Sequence, residues 1–198
     1  MTLLRYDRQI EDFLRKGNYL RSGMRILDAG CGSGLATKIL HGLVKEQHLV
    51  DMTFHGFDLT PTMLKRFQTW ITKHNLQREI EFNRANVLDL QELPEHWSNY
   101  DLIVSSSMLE YIPQLKIVTA LQNLRALLKG DGTLLLFVTR ENPVTHRLGG
   151  KWWQAHLFSE DEIYTALSQA GFHQILPRQF SGRSQYANTS TIAIEALP

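Results

Sequence analysis

The sequence has 198 residues, of which 43% are hydrophobic and 21% charged, a composition typical of a globular domain and unlike that of a disordered chain. Its formal net charge of +1 provides no overall field to attract a nucleic-acid backbone, so we expect no nucleic-acid partner. Cys31 is the single cysteine, the N-terminus is too polar for a secretory signal, and no apolar run approaches the roughly 20 residues of a membrane span. We therefore expect a cytoplasmic protein without an intramolecular disulfide.

The first half of the chain predicts a cover helix followed by two strand–helix repeats. Apolar residues at helical spacing within residues 1–22 predict one N-terminal helix over the site, with Tyr6 as a candidate lid; a plain cover helix or a partner-binding helix in a homodimer are the alternatives. A strand at residues 25–28 runs into a glycine-rich turn, and a helix follows from about residue 35 to 48. A second strand, residues 52–57, stops at Asp58. Thr60 and Pro61 then favour a helix start, with threonine as the cap.

The second half continues the alternation. Strands are predicted at residues 80–82, 102–104 and 133–138, with an amphipathic helix at 117–128 that a turn at 129–132 closes. A capping box at residues 159–162 starts another helix, which ends at Gly171. Two final strands are expected near residues 173–176 and 191–196. This order predicts a parallel sheet with helices on both faces, and residues 23–198 as the main part of one structural domain.

The glycine turn carries the chemical information. Gly30, Gly32 and Gly34 let the backbone turn sharply and let a ligand approach it closely. Asp58 follows Gly34 by 24 residues, at the end of the next strand, which suits hydrogen bonds to ribose hydroxyls. A dinucleotide site has the spacing G-x-G-x-x-G, whereas this turn reads G-x-G-x-G. Asp28 would repel a pyrophosphate but can support an ammonium group, so the pattern favours S-adenosylmethionine as the cofactor.

These segments together resemble the class I S-adenosylmethionine-dependent methyltransferases, especially their small-molecule and ubiquinone/menaquinone-biosynthesis branch. The resemblance runs from about Gly23 to Gly171 and rests on LDAGCGSG from Leu27, GFDLTPTML from Gly56, YDLIVSS from Tyr100 and LLKGDG from Leu127. It implies an α/β, Rossmann-like, doubly wound seven-stranded sheet whose last strand is antiparallel and inserted beside the fifth. It also implies a set of cofactor-binding residues: Asp28, Gly30, Cys31, Gly32, Gly34, Asp58, Leu59, Met63, Asn86, Val87, Ser105 and Ser106.

The resemblance assigns parts of the cofactor to these positions. Asp58 binds the ribose, Leu59 and Met63 flank the adenine, and the serines at the end of the fourth strand border the methionine portion. Asn86 stands where the family usually has an aspartate, and its side-chain oxygen can still accept a hydrogen bond from the adenine amino group.

The acceptor is less clearly indicated. Residues 105–108 read SSSM in place of the Asp/Asn-Pro-Pro-aromatic sequence of enzymes that methylate adenine or glutamine amino groups. We expect oxygen or nitrogen of a small molecule as the acceptor. A protein side chain, or a non-catalytic binding or activating subunit with this fold, is the alternative. The glycine spacing disfavours a nicotinamide-dependent oxidoreductase, and the lack of a paired acidic motif disfavours an aminopropyl transferase.

Candidate catalytic residues lie after the fourth and fifth strands. Glu110 and Tyr111 follow the fourth strand, where the methyl group should lie, and Tyr111 could shield the sulfonium by a cation–π contact. His156, in the segment 140–158 that should cover the site mouth, is a candidate base. His146 is a weaker one, and Trp152 and Trp153 are candidate pocket walls. Methyl transfer depends mainly on alignment, so it needs a base only for protonated acceptors. The histidine and carboxylate spacing predicts no metal site, and we expect a monomer or homodimer.

Overall fold

A computed structural model describes residues 6–143, 145 and 155–198 of the chain. These residues contain seven strands. They are β1 (Arg25–Ala29), β2 (Thr53–Asp58), β3 (Ile80–Arg84), β4 (Tyr100–Ser106), β5 (Leu128–Thr139), β6 (Gln174–Arg178) and β7 (Thr191–Leu197). Their order in the sheet is β3-β2-β1-β4-β5-β7-β6. Strands β1 to β5 run parallel to one another, whereas β7 runs antiparallel to both β5 and β6. This confirms the predicted doubly wound sheet and its inserted antiparallel last strand.

The helices alternate with the strands as predicted. They are α1 (Tyr6–Gly17), α2 (Leu35–Glu46), α3 (Pro61–Lys73), α4 (Ile117–Leu127) and α5 (Glu160–Gln169), with short 3-10 helices at Leu90–Glu92, Leu109–Tyr111, Gln114–Lys116 and Gly182–Thr189. Within the described ranges, each helix is too short or too polar to traverse a lipid bilayer.

The two predicted helix starts differ in outcome. The Ser159 hydroxyl accepts a hydrogen bond from the Glu162 amide at 3.2 Å, which confirms a cap on α5. Pro61 opens α3 as predicted, but the Thr60 side chain makes no cap hydrogen bond. The prediction of a threonine cap was therefore wrong. The Asp58 carboxylate instead accepts a hydrogen bond from the Thr60 amide at 2.7 Å, so the strand end supplies the acceptor at this helix start.

A buried apolar layer lies on each face of the sheet. Helices α4 and α5 pack on one face, and α1, α2 and α3 pack on the other. Helix α1 lies against α2, and its Phe13 ring meets Phe137 of β5 edge-on with a centroid distance of 5.1 Å. Because α1 is fixed to the body in this way, its first residue, Tyr6, is held near the carboxyl ends of the strands.

Strand β5 begins earlier than predicted. Residues 129–132 were expected to form a turn before a strand at 133–138, but β5 already pairs with β4 at Leu128. Tyr100 pairs with Leu128 and Leu102 with Thr133, so the intervening glycine-containing segment bulges out of the ladder. A bulge lets turn-forming residues lie inside one continuous strand, which explains the misplaced boundary.

Candidate active site

A cavity of about 830 Å³ opens where β1, β2 and β4 end. The carboxyl edge of a doubly wound parallel sheet is where ligands bind in this architecture. One end of the cavity is walled by the glycine turn after β1 and by Asp58 at the end of β2; the other end lies between α1 and the segment after β4.

The glycine turn is held in a conformation that suits glycine. Gly30, Gly32 and Gly34 have φ values of 74°, 53° and 84°, in the left-handed region that other residues seldom adopt. A Cβ at Gly30 would lie 2.6 Å from Met108, and one at Gly34 would lie 2.2 Å from Phe67. Gly30 and Gly32 line the cavity. Gly34 is not among the lining residues in the described part of the chain; its packing against Phe67 of α3 explains the glycine, and its cofactor contact stays a prediction.

Asp58 joins β2 to the glycine turn. One of its oxygens accepts a hydrogen bond from the Gly32 amide at 2.9 Å, and the other accepts from the Thr60 amide at 2.7 Å. A carboxylate offers about four acceptor positions, so both oxygens can accept further hydrogen bonds from a ligand. Asp58 lines the cavity, in the position expected for a ribose ligand.

Asp28 is a buried carboxyl group at the floor of the cavity. Its Oδ2 accepts hydrogen bonds from the amide and the hydroxyl of Thr37, at 2.9 and 2.7 Å. Burial raises the pKa of Asp28 to about 6, against the opposing effect of the Thr37 hydrogen bonds. The neighbouring Cys31 is buried too, and burial raises the pKa of its thiol. Cys31 therefore stays a neutral thiol that fills space beside the turn.

Two apolar side chains that follow Asp58 in the chain form an exposed part of the cavity wall. Leu59 is 51% exposed and Met63 39% exposed, and both line the cavity together with Asn86 and Val87. Large apolar side chains that remain exposed beside a cavity indicate a ligand-binding surface. The Asn86 oxygen accepts a hydrogen bond from the Leu88 amide at 3.0 Å, so the oxygen expected to face adenine also stabilises its own loop.

The two serines at the end of β4 face different surroundings. Ser106 lines the cavity, and its hydroxyl lies 2.7 Å from that of Tyr6. Ser105 is fully buried, and its hydroxyl has no hydrogen-bond partner among the described residues. Side chains alternate along a strand, so Ser105 points into the packed layer when Ser106 faces the cavity. The expected cofactor contact of Ser105 therefore stays a prediction, whereas Ser106 is the serine that lines the cavity.

The candidate catalytic residues are not brought together. Tyr111 lines the cavity and is 61% exposed. Glu110 is buried, and its carboxylate accepts hydrogen bonds from the amide and hydroxyl of Thr139 at 2.8 and 2.9 Å. Its burial raises its pKa. Glu110 is not among the described residues that line the cavity, and it holds the segment after β4 against the end of β5. Its catalytic role stays a prediction.

His156 is likewise turned away from the cavity. Its Nε2 lies 2.8 Å from a carboxylate oxygen of Glu162, and its ring meets Phe158 edge-on. It is not among the described residues that line the cavity, so a role as base stays a prediction that requires the Glu162 contact to open. His146, Trp152 and Trp153 lie outside the described residues.

Several hydroxyl groups that were not predicted line the end of the cavity between α1 and the segment after β4, which we call the acceptor end. Thr139 ends β5 and Thr191 begins β7, and both line the cavity with Ser107 and Ser190. Because β7 runs antiparallel to β5, its first residue lies at the same edge as the last residue of β5. A polar residue directly after a predicted apolar strand is the signal that could have identified Thr139.

Comparison with known proteins agrees with this geometry. A family described as a methyltransferase domain matches residues 4–176. The ubiquinone biosynthesis O-methyltransferase of Marinobacter nauticus is 23% identical over 122 residues, which cover 62% of this chain and 47% of that protein. The ribosomal protein L11 methyltransferase of Thermosipho africanus is 28% identical over 124 residues, which cover 63% of this chain and 40% of that protein. The chain thus spans less than half the length of these curated relatives.

Solved structures share the fold. The crystal structure of magnesium protoporphyrin IX methyltransferase from Synechocystis, with bound S-adenosylhomocysteine, superposes with a TM-score of 0.70 at 19% identity. The match covers 98% of this chain and 84% of that one. These relatives act on different acceptors, so the likeness concerns the domain and its architecture.

Proposed function

The chain belongs to the family of S-adenosylmethionine-dependent methyltransferase domains, and on this premise we propose that it methylates oxygen or nitrogen of a small molecule. The observation that carries the proposal is the 2.7 Å contact between the hydroxyl groups of Tyr6 and Ser106. It holds the start of α1 across the acceptor end of the cavity. An acceptor bound beneath Tyr6 has to be small enough to fit under a helix.

The proposed cofactor contacts follow the cavity from one end to the other. Asp58 accepts hydrogen bonds from the ribose hydroxyls, and Leu59 and Met63 pack against the adenine. Ionised Asp28 supports the ammonium group of the methionine portion. The cofactor supplies the chemistry as a methyl group on a positively charged sulfur, and the chain has to align the acceptor with that group and exclude water.

The titratable side chains that line the cavity restrict the chemical class of the acceptor. Apart from Asp28, Asp58 and the residues of the glycine turn, the titratable side chains among the described lining residues are Tyr6, Asp7 and Tyr111. Burial raises the pKa of both tyrosines, so they stay protonated and donate hydrogen bonds at neutral pH. The tyrosines would orient an acceptor without deprotonating it, and Asp7 is solvent-exposed, where a carboxylate is only a weak base. We propose an acceptor that is already nucleophilic at neutral pH, such as a carboxylate, an acidic phenol or an uncharged amine.

One observation favours a protein side chain as the second candidate. Leu115 is 95% exposed and follows Tyr111 and Ile112, which line the cavity. An exposed apolar residue beside a site mouth can contact a protein partner. Tyr6 would then have to move away from Ser106 to admit the side chain.

The test is a measurement of S-adenosylhomocysteine release with saturating S-adenosylmethionine. Series of carboxylic acids, phenols and amines of graded pKa are compared with unfolded protein as acceptor. We expect turnover of a small acceptor, with the pH of half-maximal kcat/KM following the pKa of the acceptor through its series. A profile with one fixed midpoint for all acceptors would indicate an enzyme base instead. Turnover of protein alone would favour the second candidate, and cofactor binding without turnover would favour a binding or activating subunit.

A further inference from the structure

We propose that His55, Glu81 and His96 form a zinc-binding site that is separate from the cofactor cavity. His55 of β2 and Glu81 of β3 are directly paired across the two parallel strands. Their nearest atoms, His55 Nε2 and Glu81 Oε2, lie 3.8 Å apart, and His96 Nε2 lies 3.7 Å from the same oxygen. The three potential ligand atoms all lie within 4.8 Å of one another.

These distances fit a shared ion better than direct bonds. A separation of 3.7 to 3.8 Å is too long for a hydrogen bond. Zinc bonds of about 2.0–2.1 Å in tetrahedral geometry place neighbouring ligand atoms roughly 3.4 Å apart. The Glu81 and His96 side chains are 61% and 65% exposed, so they can close the remaining distance by rotation without disturbing the core.

His55 is held in the orientation that a metal ligand needs. It is 3% exposed, and its ring stacks on Trp97 with a centroid distance of 4.3 Å and an interplanar angle of 5°. Its Nδ1 lies 2.6 Å from the Tyr100 hydroxyl, which can accept a hydrogen bond from Nδ1–H and leave the Nε2 lone pair directed at Glu81 and His96. Metal-binding histidines characteristically have such a partner on the second nitrogen.

The surrounding charges fix the loop that carries His96. Arg25 donates hydrogen bonds to the carbonyl groups of His96 and Ser98 at 2.9 and 3.2 Å, and its guanidinium lies 5.5 Å from the centre of the Tyr100 ring. Its positive charge opposes a cation nearby, but its N–H groups are engaged by the loop backbone. The site offers two imidazoles, one carboxylate and an open fourth position, a donor set that suits zinc and not magnesium or calcium.

The position of this site, away from the cofactor cavity, predicts that a zinc ion with water as its fourth ligand would anchor a loop. His55 precedes Asp58 by three residues on β2, which is about 10 Å along a strand. In the described ranges none of the three ligands lines the cofactor cavity. Bound zinc would fasten the loop after β3, which also carries the cavity residues Asn86 and Val87, to strands β2 and β3 at one side of the sheet.

The test uses the untagged chain, stripped of metal with a chelator and titrated with zinc chloride by calorimetry. We expect one zinc per chain and a higher thermal unfolding temperature when zinc is bound. Cobalt chloride replaces zinc as a spectroscopic probe, and we expect visible absorption bands typical of a low-coordinate site with histidine ligands. His96→Ala and Glu81→Gln should each lower zinc affinity at least about tenfold, and Tyr100→Phe by about ten- to a hundredfold, as for outer-shell partners in other zinc sites.

The matched control is His173→Ala, which removes an exposed histidine outside the cluster. It should leave zinc affinity and the cobalt spectrum unchanged. Because Glu81 and His96 are largely exposed, both variants should keep the metal-free unfolding temperature of the natural chain. Absence of one-to-one binding, or equal zinc affinity in His96→Ala, Glu81→Gln and His173→Ala, would overturn the proposal.

Discussion

Replacing Asp58 with alanine should weaken cofactor binding far more than it weakens the fold. The carboxylate would accept charge-assisted hydrogen bonds from the ribose, and a hydrogen bond to a charged group contributes about 1.5–3 kcal/mol net. Loss of one such contribution corresponds to a Kd about 10- to 150-fold higher. The substitution also removes the acceptor of the Gly32 and Thr60 amides. Neither residue is fully buried, so water can replace that acceptor, and unfolding free energy should fall by no more than about 2 kcal/mol.

Calorimetric titration with S-adenosylhomocysteine measures the affinity, with NADH as the ligand control. Urea unfolding of the ligand-free protein measures the effect on the fold. Asp131→Ala is the matched variant, because Asp131 is an exposed aspartate in the β5 bulge, at the opposite end of the sheet. It should leave the affinity unchanged. A folded Asp58→Ala protein with a Kd within twofold of the natural chain would show that the ribose binds elsewhere.

Two further predictions concern the floor of the cavity and the glycine turn. Folding raises the pKa of Asp28 to about 6, so its proton is favoured in the ligand-free fold, and this contribution to stability is lost as pH rises from about 4 through 6. Binding of the cationic ammonium group needs the ionised form of Asp28. Calorimetry should therefore show that the affinity for S-adenosylhomocysteine falls about tenfold per pH unit below pH 6. Asp28→Asn should bind weakly with little pH dependence, and an unchanged slope in that variant would refute the assignment. Gly34→Ala places a Cβ 2.2 Å from Phe67 at φ 84°, and should lower the unfolding free energy by about 2–5 kcal/mol in urea. Gly42→Ala in α2, with no atom within 4 Å of the added Cβ, should instead stabilise by about 0.5–1 kcal/mol; equal effects of the two substitutions would contradict the argument.

The fold was predictable because its signals are local. Each strand–helix repeat carries its own apolar periodicity, and the glycine turn and Asp58 lie at the ends of adjacent strands β1 and β2. Parallel strands place these ends at one edge, so the cofactor half of the cavity follows from strand order alone. The N-terminal helix and the glycine turn follow from such short-range patterns. The antiparallel last strand follows from the family resemblance.

The remaining features depend on register and long-range pairing. Successive side chains of β4 point to opposite faces of the sheet. A shift of one residue in the strand would therefore exchange the directions of Ser105 and Ser106. Glu110 has the polarity of a catalytic residue, yet its partner Thr139 is 29 residues away. His55, Glu81 and His96 follow no metal-binding spacing, and it is the pairing of β2 with β3 that brings the first two together.

The position of β7 has a consequence for the order in which the sheet can assemble during synthesis. Among the described strands, β6 is paired with β7 alone, and β7 lies between β6 and β5. On the ribosome, β6 therefore emerges before it has a strand to join, and β5 stays an open edge until the following strand is made. We expect a nascent chain stopped at residue 190 to hold five parallel strands with β6 unattached, and completion of the sheet to await release of its last strand.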